Sequence, residues 1–369
     1  MQPGASPLRA IFRDELADLA PYVPKSPPGV EVRLDANEAP PCAAPELREA
    51  LRAAAAELRL ERYPDPRATE LRALLAARYG CAPDDLVCGT GSDEVISIVA
   101  TACARRRERL PQPVVLTPTP TFVMYRVTSR AHGYKVVEVP LDRAWQVEVP
   151  VMVRAIEMMT PNVVYVATPN NPTGVREPIE TLRAVATAAE AIGALFVIDE
   201  AYGEFANESA AALRREFTNV GVLRTLSKIG LAALRVGTLE ASTEVVSMLE
   251  RARQPFNMDA LAQAAAVRIL RDAGAALEAH VAAIRAERAR VFTELRAMER
   301  LDVVPSEANF HWVRTARPAG EVWDELVAAG ILVRSFHERG GRLAHMLRVT
   351  VGTAAENDRF LGAIRRCAG

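Results

Sequence analysis

Lysine occurs at three positions in this chain, Lys25, Lys135 and Lys228, and every other basic residue is arginine. Lys228 follows the apolar run Val220 to Leu226 and Ser227, with Arg235 seven residues further on. A lysine can lose its proton and react as a neutral amine, which a Schiff base requires, whereas an arginine stays charged. A solvated surface charge is the plainer alternative, but this chain uses arginine for that nearly everywhere. A second apolar run, Ala194 to Ile198, ends on Asp199-Glu200-Ala201-Tyr202. An acid just past the carboxyl end of a buried strand lies where open α/β sheets bind ligands. Taken alone, an acid at such a place more often caps a helix or faces water. Nucleotide triphosphatases also end an apolar strand in acids to hold magnesium. They need a G-x-x-x-x-G-K-[ST] loop, and none of the three lysines lies in one.

Two further segments have ligand-binding composition. Gly89-Thr-Gly-Ser92-Asp93-Glu94 precedes a helical stretch, so the backbone can approach an anion and the first N–H groups of the helix can hold it. A plain capped turn is an equal reading, and the dinucleotide fingerprint is absent because its third glycine is missing. Thr168-Pro-Asn-Asn171-Pro-Thr-Gly174 follows another apolar run. It reads as an Asx-type turn, or as a turn that presents asparagine side chains to a ligand.

Positioning these residues calls for an α/β fold. Val114 to Thr117, Lys135 to Val139, Val163 to Thr168, Leu195 to Ile198 and Val220 to Leu226 read as strands, several of them continuously apolar. Helical stretches lie between some of them, such as Pro178 to Ile192. Strands apolar throughout, alternating with helices, imply a mostly parallel sheet covered on both faces. Before it, Glu46 to Leu60 and Thr69 to Tyr79 have helical spacing, the latter stopping at Gly80. From about Met258 the texture changes. One long helical region runs to Arg300, followed by short strands near 302–305, 310–314 and 347–351, and Thr353-Ala-Ala-Glu356 reads as a capping box. The expected organisation is a proline-rich arm over residues 1–45 lying on a surface, a large domain over 46–257, and a smaller α+β domain over 258–369 joined by the arm.

Composition narrows the function classes. The 369 residues are 50% hydrophobic with a formal net charge of −1, enough apolar content for a buried core and too little charge for nucleic acid or an anionic membrane. The five cysteines are scattered, without C-x-x-C spacing, and no H-x-x-x-H pair occurs, so neither a disulfide framework nor a zinc site is expected. No leader-like or membrane-spanning run is seen, which points to a cytoplasmic protein.

Together these segments resemble the pyridoxal-phosphate aminotransferases of fold type I. The resemblance rests on Asn171 before Pro-Thr-Gly, Asp199 with Tyr202, and Thr225-Leu-Ser-Lys228. Within that group, Leu34-Asp-Ala-Asn37-Glu38, Arg62-Tyr63-Pro64-Asp65-Pro66, Gly91-Ser-Asp-Glu94, Asp199 to Phe205, Leu223 to Lys228 and Leu347 to Thr353 are similar to the histidinol-phosphate aminotransferase branch. The likeness runs from about residue 20 to the C-terminus. It implies a large domain built on a seven-stranded, mostly parallel sheet, and the exchange of L-histidinol phosphate and 2-oxoglutarate with imidazole-acetol phosphate and L-glutamate in histidine biosynthesis. An aromatic amino-acid aminotransferase is the second reading, and a decarboxylase of an amino-acid phosphate on the same scaffold the third.

By this resemblance Lys228 would carry pyridoxal 5'-phosphate as a Schiff base and shuttle the substrate proton. Asp199 would pair with the pyridine nitrogen, and Tyr202 and Asn171 would hydrogen-bond the ring oxygen. Phe122 would stack on the ring; the family usually has a tyrosine there, so a hydroxyl is lost. Ser92, Asp93 and Glu94 would surround the cofactor phosphate with Thr225, Ser227 and Arg235, and Tyr63 would reach the phosphate in a neighbouring subunit, making the homodimer obligatory. Arg348, Arg334 and Tyr22 would contact the substrate's phosphate, and Arg348 the glutamate carboxylate. No role follows for Asn37, Glu38, Lys25 or Lys135.

Overall fold

A computed structural model describes residues 11–16, 19, 21, 27–107 and 110–367. Tyr22 and Lys25 lie outside the described residues. In chain order the strands are β1 (Val32–Leu34), β2 (Leu86–Thr90), β3 (Val114–Thr119), β4 (Lys135–Pro140), β5 (Val163–Ala167) and β6 (Leu195–Asp199). They continue with β7 (Val220–Thr225), β8 (Val236–Glu240), β9 (Leu301–Val304), β10 (Phe310–Thr315), β11 (Ile331–Ser335) and β12 (Met346–Thr350).

Seven of these strands form one sheet in the order β2-β8-β7-β6-β5-β3-β4. All neighbours are parallel except β8, which runs antiparallel to both β2 and β7. Successive side chains of a strand point to opposite faces. Val164, Phe196 and Ile198 therefore join the helices Val149–Met159 and Ile179–Ala191 on one side. Tyr165 and Val197 meet the helices Gly91–Ala102 and Thr243–Ala252 on the other. Burial on both faces is why β5 and β7 are apolar without alternation.

The second sheet has the order β1-β11-β12-β10-β9, with only β1 and β11 parallel. One face packs Val333, Leu347 and Val349 against the helices Gly274–Arg296, Ala319–Ala328 and Ala354–Cys367. Alternation turns Arg334 and Arg348 to the opposite face, where they pair in register. Arg33 lies opposite Leu332 in β1, two residues before Arg334, and so belongs to the same face as the two arginines.

Several elements differ from expectation. Residues 32–37 do not rest on a surface: Val32, Leu34 and Asn37 are buried, because β1 adds to the edge of β11. The long helical region after Met258 is two helices, Ala260–Asp272 and Gly274–Arg296, separated at Ala273. Asp259 caps the first, its Oδ1 accepting from Ala262 N at 2.8 Å. The strands β1, β2, β8 and β11 had no separate signal. The capping box is formed: Glu356 Oε2 accepts from Thr353 N at 2.8 Å, and Thr353 Oγ1 accepts from Glu356 N at 3.3 Å.

Candidate active site

Between the two sheets lies a cavity of about 560 Å³ lined by strand ends and turns from both. Asp199 closes β6 at its carboxyl end and is buried. Burial pushes its carboxyl up to about 6, against the downward pull of two donors. These are the Tyr125 hydroxyl, on Oδ2, and Ala201 N, 2.8 Å from Oδ1. Tyr125 stacks face to face on Tyr165 at 4.7 Å and meets Phe122 edge-on at 5.6 Å. Phe122 caps the helix Val123–Ala131, so the three-residue spacing turns both rings to the cavity.

Lys228 sits in a short 3₁₀ turn directly after β7, with Nζ 5.8 Å from the centre of the Tyr202 ring. Tyr202 is buried, its ring edge-on to Phe310 at 5.1 Å, and its hydroxyl accepts from Asn37 Nδ2 at 2.8 Å. Asn171 Oδ1 accepts from Arg348 Nη1 at 2.6 Å, which leaves the asparagine's NH₂ group as its remaining donor.

Ser92 and Asp93, in the first turn of the helix Gly91–Ala102, line the same cavity. Thr90 N donates to Glu94 and Gly91 N to Arg235 O at 2.6 Å, so the N–H groups of Ser92 and Asp93 are the ones the helix start offers to an anion. Thr225 Oγ1 bonds Ser227 Oγ at 2.9 Å, and Arg235 reaches Ser227 Oγ at 3.5 Å and Asp93 Oδ2 at 3.3 Å. A Cβ on Gly91 would lie 2.5 Å from the Arg235 guanidinium and displace it, and the φ of +76° favours glycine there.

Glu94 is not part of this cluster. Its carboxylate is turned back to Thr90 N and accepts from Asn257 Nδ2 at 2.8 Å, holding the helix start in place. Tyr63 is 83% exposed, stacked on Phe256 at 4.8 Å, and lies outside the cavity of its own chain. Arg334 and Arg348 line the cavity together with Arg33. Tyr125, Asn37 and Arg33 are the residues that sequence reasoning missed. Tyr125 was legible as the position three after Phe122; Asn37 and Arg33 depend on where β1 docks.

The donor set matches one kind of ligand. The N–H groups of Ser92 and Asp93, the hydroxyls and a guanidinium suit a phosphate. A buried carboxyl suits a protonated ring nitrogen, an aromatic face suits the ring, and a lysine in the same cavity suits an aldehyde. Pyridoxal phosphate carries all of those groups. The profile of the class I and II aminotransferases matches residues 31–364, and the chain belongs to that family of pyridoxal-phosphate enzymes. Among its relatives, histidinol-phosphate aminotransferase of Chromobacterium violaceum is 38% identical over 97% of this chain and 98% of that one. The enzyme of the same name from Aquifex aeolicus is 38% identical over 90% and 91%. The solved histidinol-phosphate aminotransferase of Sinorhizobium meliloti, in complex with pyridoxal-5'-phosphate, superposes with a TM-score of 0.83 at 26% identity, covering 97% of this chain and 98% of that one.

Proposed function

We propose that this chain is a histidinol-phosphate aminotransferase, exchanging the amino group between L-histidinol phosphate and 2-oxoglutarate to give imidazole-acetol phosphate and L-glutamate. The observation that carries this reading is the meeting of Lys228 and Asp199 with the paired arginines Arg334 and Arg348 in one cavity. Histidinol phosphate carries a phosphate dianion and no α-carboxylate, while glutamate carries two carboxylates. A fork of guanidinium groups accommodates either anion.

Bound pyridoxal phosphate supplies an aldehyde to accept the amino group and a ring to take up the electron pair left at the substrate's α carbon. Lys228 holds the cofactor and moves the proton from the α carbon. Asp199 keeps the proton on the ring nitrogen, and burial with two donors already fixed on its oxygens holds it in place. Tyr202 and the NH₂ of Asn171 donate toward the ring oxygen. Phe122 covers the ring, and Ser92, Asp93, Thr225, Ser227 and Arg235 hold its phosphate. Arg348, engaged with Asn171 Oδ1 and with Asp35 O at 2.5 Å, binds the substrate anion with Arg334.

The assembly is a homodimer in this reading, with Tyr63 extending to the partner's cofactor phosphate and Tyr22 to the substrate. The exposed Tyr63–Phe256 stack supports it. Residues 46–257 would act as the cofactor domain, and 258–369 with β1 as the smaller domain. A cytoplasmic location accords with five free cysteines. Among the described residues no helix is long and apolar enough to cross a membrane.

A visible spectrum of the purified protein loaded with pyridoxal phosphate tests the reading. Histidinol phosphate is expected to bleach the Lys228-dependent band faster than phenylalanine or threonine phosphate does. Failure to bleach it, or a band retained in Lys228→Ala, would sink the proposal.

A further inference from the structure

Asn37 is buried at the exit of β1, with φ +57°. Asparagine tolerates that left-handed conformation better than most residues. Four hydrogen bonds fix it. Its N–H donates to Thr350 Oγ1 at 3.0 Å, and Asn309 Nδ2 donates to its carbonyl at 3.1 Å. The Thr350 hydroxyl, having accepted that N–H, turns its own proton to Asn37 Oδ1 at 3.3 Å. The amide is thereby oriented, with oxygen toward Thr350 and nitrogen toward Tyr202, whose hydroxyl accepts at 2.8 Å.

The consequence concerns the Tyr202 proton. A tyrosine hydroxyl has a single proton, and the group facing it from Asn37 is a donor with no lone pair to offer. The proton must therefore point elsewhere, and Tyr202 lines the cavity beside Lys228. Phe310, edge-on at 5.1 Å, holds the ring in place. We propose that Asn37 is a positioning residue: the relay Thr350 to Asn37 to Tyr202 aims the tyrosine O–H at the ring oxygen of the cofactor. The inference rests on the cofactor assignment above and deepens it. A hydrogen bond donated to that oxygen favours its anionic form. The anion then holds less tightly the proton on the Lys228 nitrogen, and that nitrogen releases its proton at a lower pH.

The test is a pH titration of the visible absorbance of the full chain loaded with pyridoxal phosphate. Two neutral variants break the relay: Asn37→Gly, which keeps the positive φ unstrained, and Thr350→Val, which frees the amide to turn over. Each is expected to raise the titration midpoint by about half to one pH unit. Thr350→Ser, which keeps the hydroxyl, is expected to titrate like the wild type. In a Tyr202→Phe background neither variant should add a shift, because both act through the tyrosine proton. A role in folding alone would lower the melting temperature and leave the midpoint unmoved. An unshifted midpoint in both variants overturns the proposal, and so does an equal shift with and without Tyr202. If the wild type shows no Lys228-dependent band, the cofactor assignment itself fails, and this inference with it.

Discussion

Arg348 Nη1 donates to Asn171 Oδ1 at 2.6 Å, tying the five-stranded sheet to the turn after β5 across 177 residues of chain. The same guanidinium donates through Nη2 to Asp35 O at 2.5 Å. In the proposed function, this one side chain would bind the substrate anion and also orient the amide that meets the cofactor ring.

Replacing Arg348 with lysine removes the planar fork and leaves Asn171 Oδ1 without its charged donor. The loss of one charge-assisted hydrogen bond is worth about 1.5–3 kcal/mol, or roughly 10- to 100-fold in kcat/KM. Steady-state kinetics should show that drop for histidinol phosphate and for glutamate alike. A drop for only one of them would mean that the two anions use different residues.

Asp199 carries a stability cost in the cofactor-free chain. Its folded carboxyl, at about 6, lies above the ordinary value of 3.8, so the folded state binds more protons than the unfolded one between those values. Stability contributed by this group is therefore lost as pH rises from about 4 to 6. Asp199→Asn is expected to melt higher than the wild type at pH 8 without cofactor, by on the order of 2–3 kcal/mol. The advantage should vanish near pH 3.5, and cofactor affinity should fall at every pH. Thermal melts with and without pyridoxal phosphate check both.

His311 is fully buried in β10, with neither ring nitrogen hydrogen-bonded among the described residues, and burial brings its pKa down to about 3. The unfolded chain takes up a proton near pH 6.5 that the folded chain refuses, so this residue costs stability as pH falls below that value. His311→Phe keeps an aromatic ring near Phe292, now 6.5 Å away, and has no proton to bind. Its melting temperature is expected to fall less between pH 7 and 5 than that of the wild type. Parallel pH curves for the two proteins would count against this account.

Gly91→Ala places a methyl group against the Arg235 guanidinium at φ +76°, a strain of about 1–3 kcal/mol. Arg235 can swing aside, so the chain is expected to fold and to bind pyridoxal phosphate about ten-fold or more weakly, as measured by equilibrium dialysis. Gly237→Ala instead drives its Cβ to 2.3 Å from Ser92 N, and backbone cannot give way as a side chain can. Little soluble protein is expected from it.

The sheet strands β3 and β5 to β7 were legible in the sequence because continuous apolarity is a local property, and it also places Asp199 and Lys228 at or just past strand ends. A strand buried on two faces must be apolar throughout, and a reactive residue at its carboxyl end is marked by that position. Lys228 stood out further because arginine cannot make a Schiff base. The capping box at Thr353 is local in the same way. Other features depend on partners far away in the chain. Nothing in Val32–Leu34 says that it will pair with β11, yet that pairing brings Arg33 to the cavity and Asn37 to Tyr202. Arg334 and Arg348 carry no individual signal in an arginine-rich chain; the antiparallel register of β11 and β12 places them side by side. Long-range register is set by the packing of whole faces, which no short stretch of residues encodes.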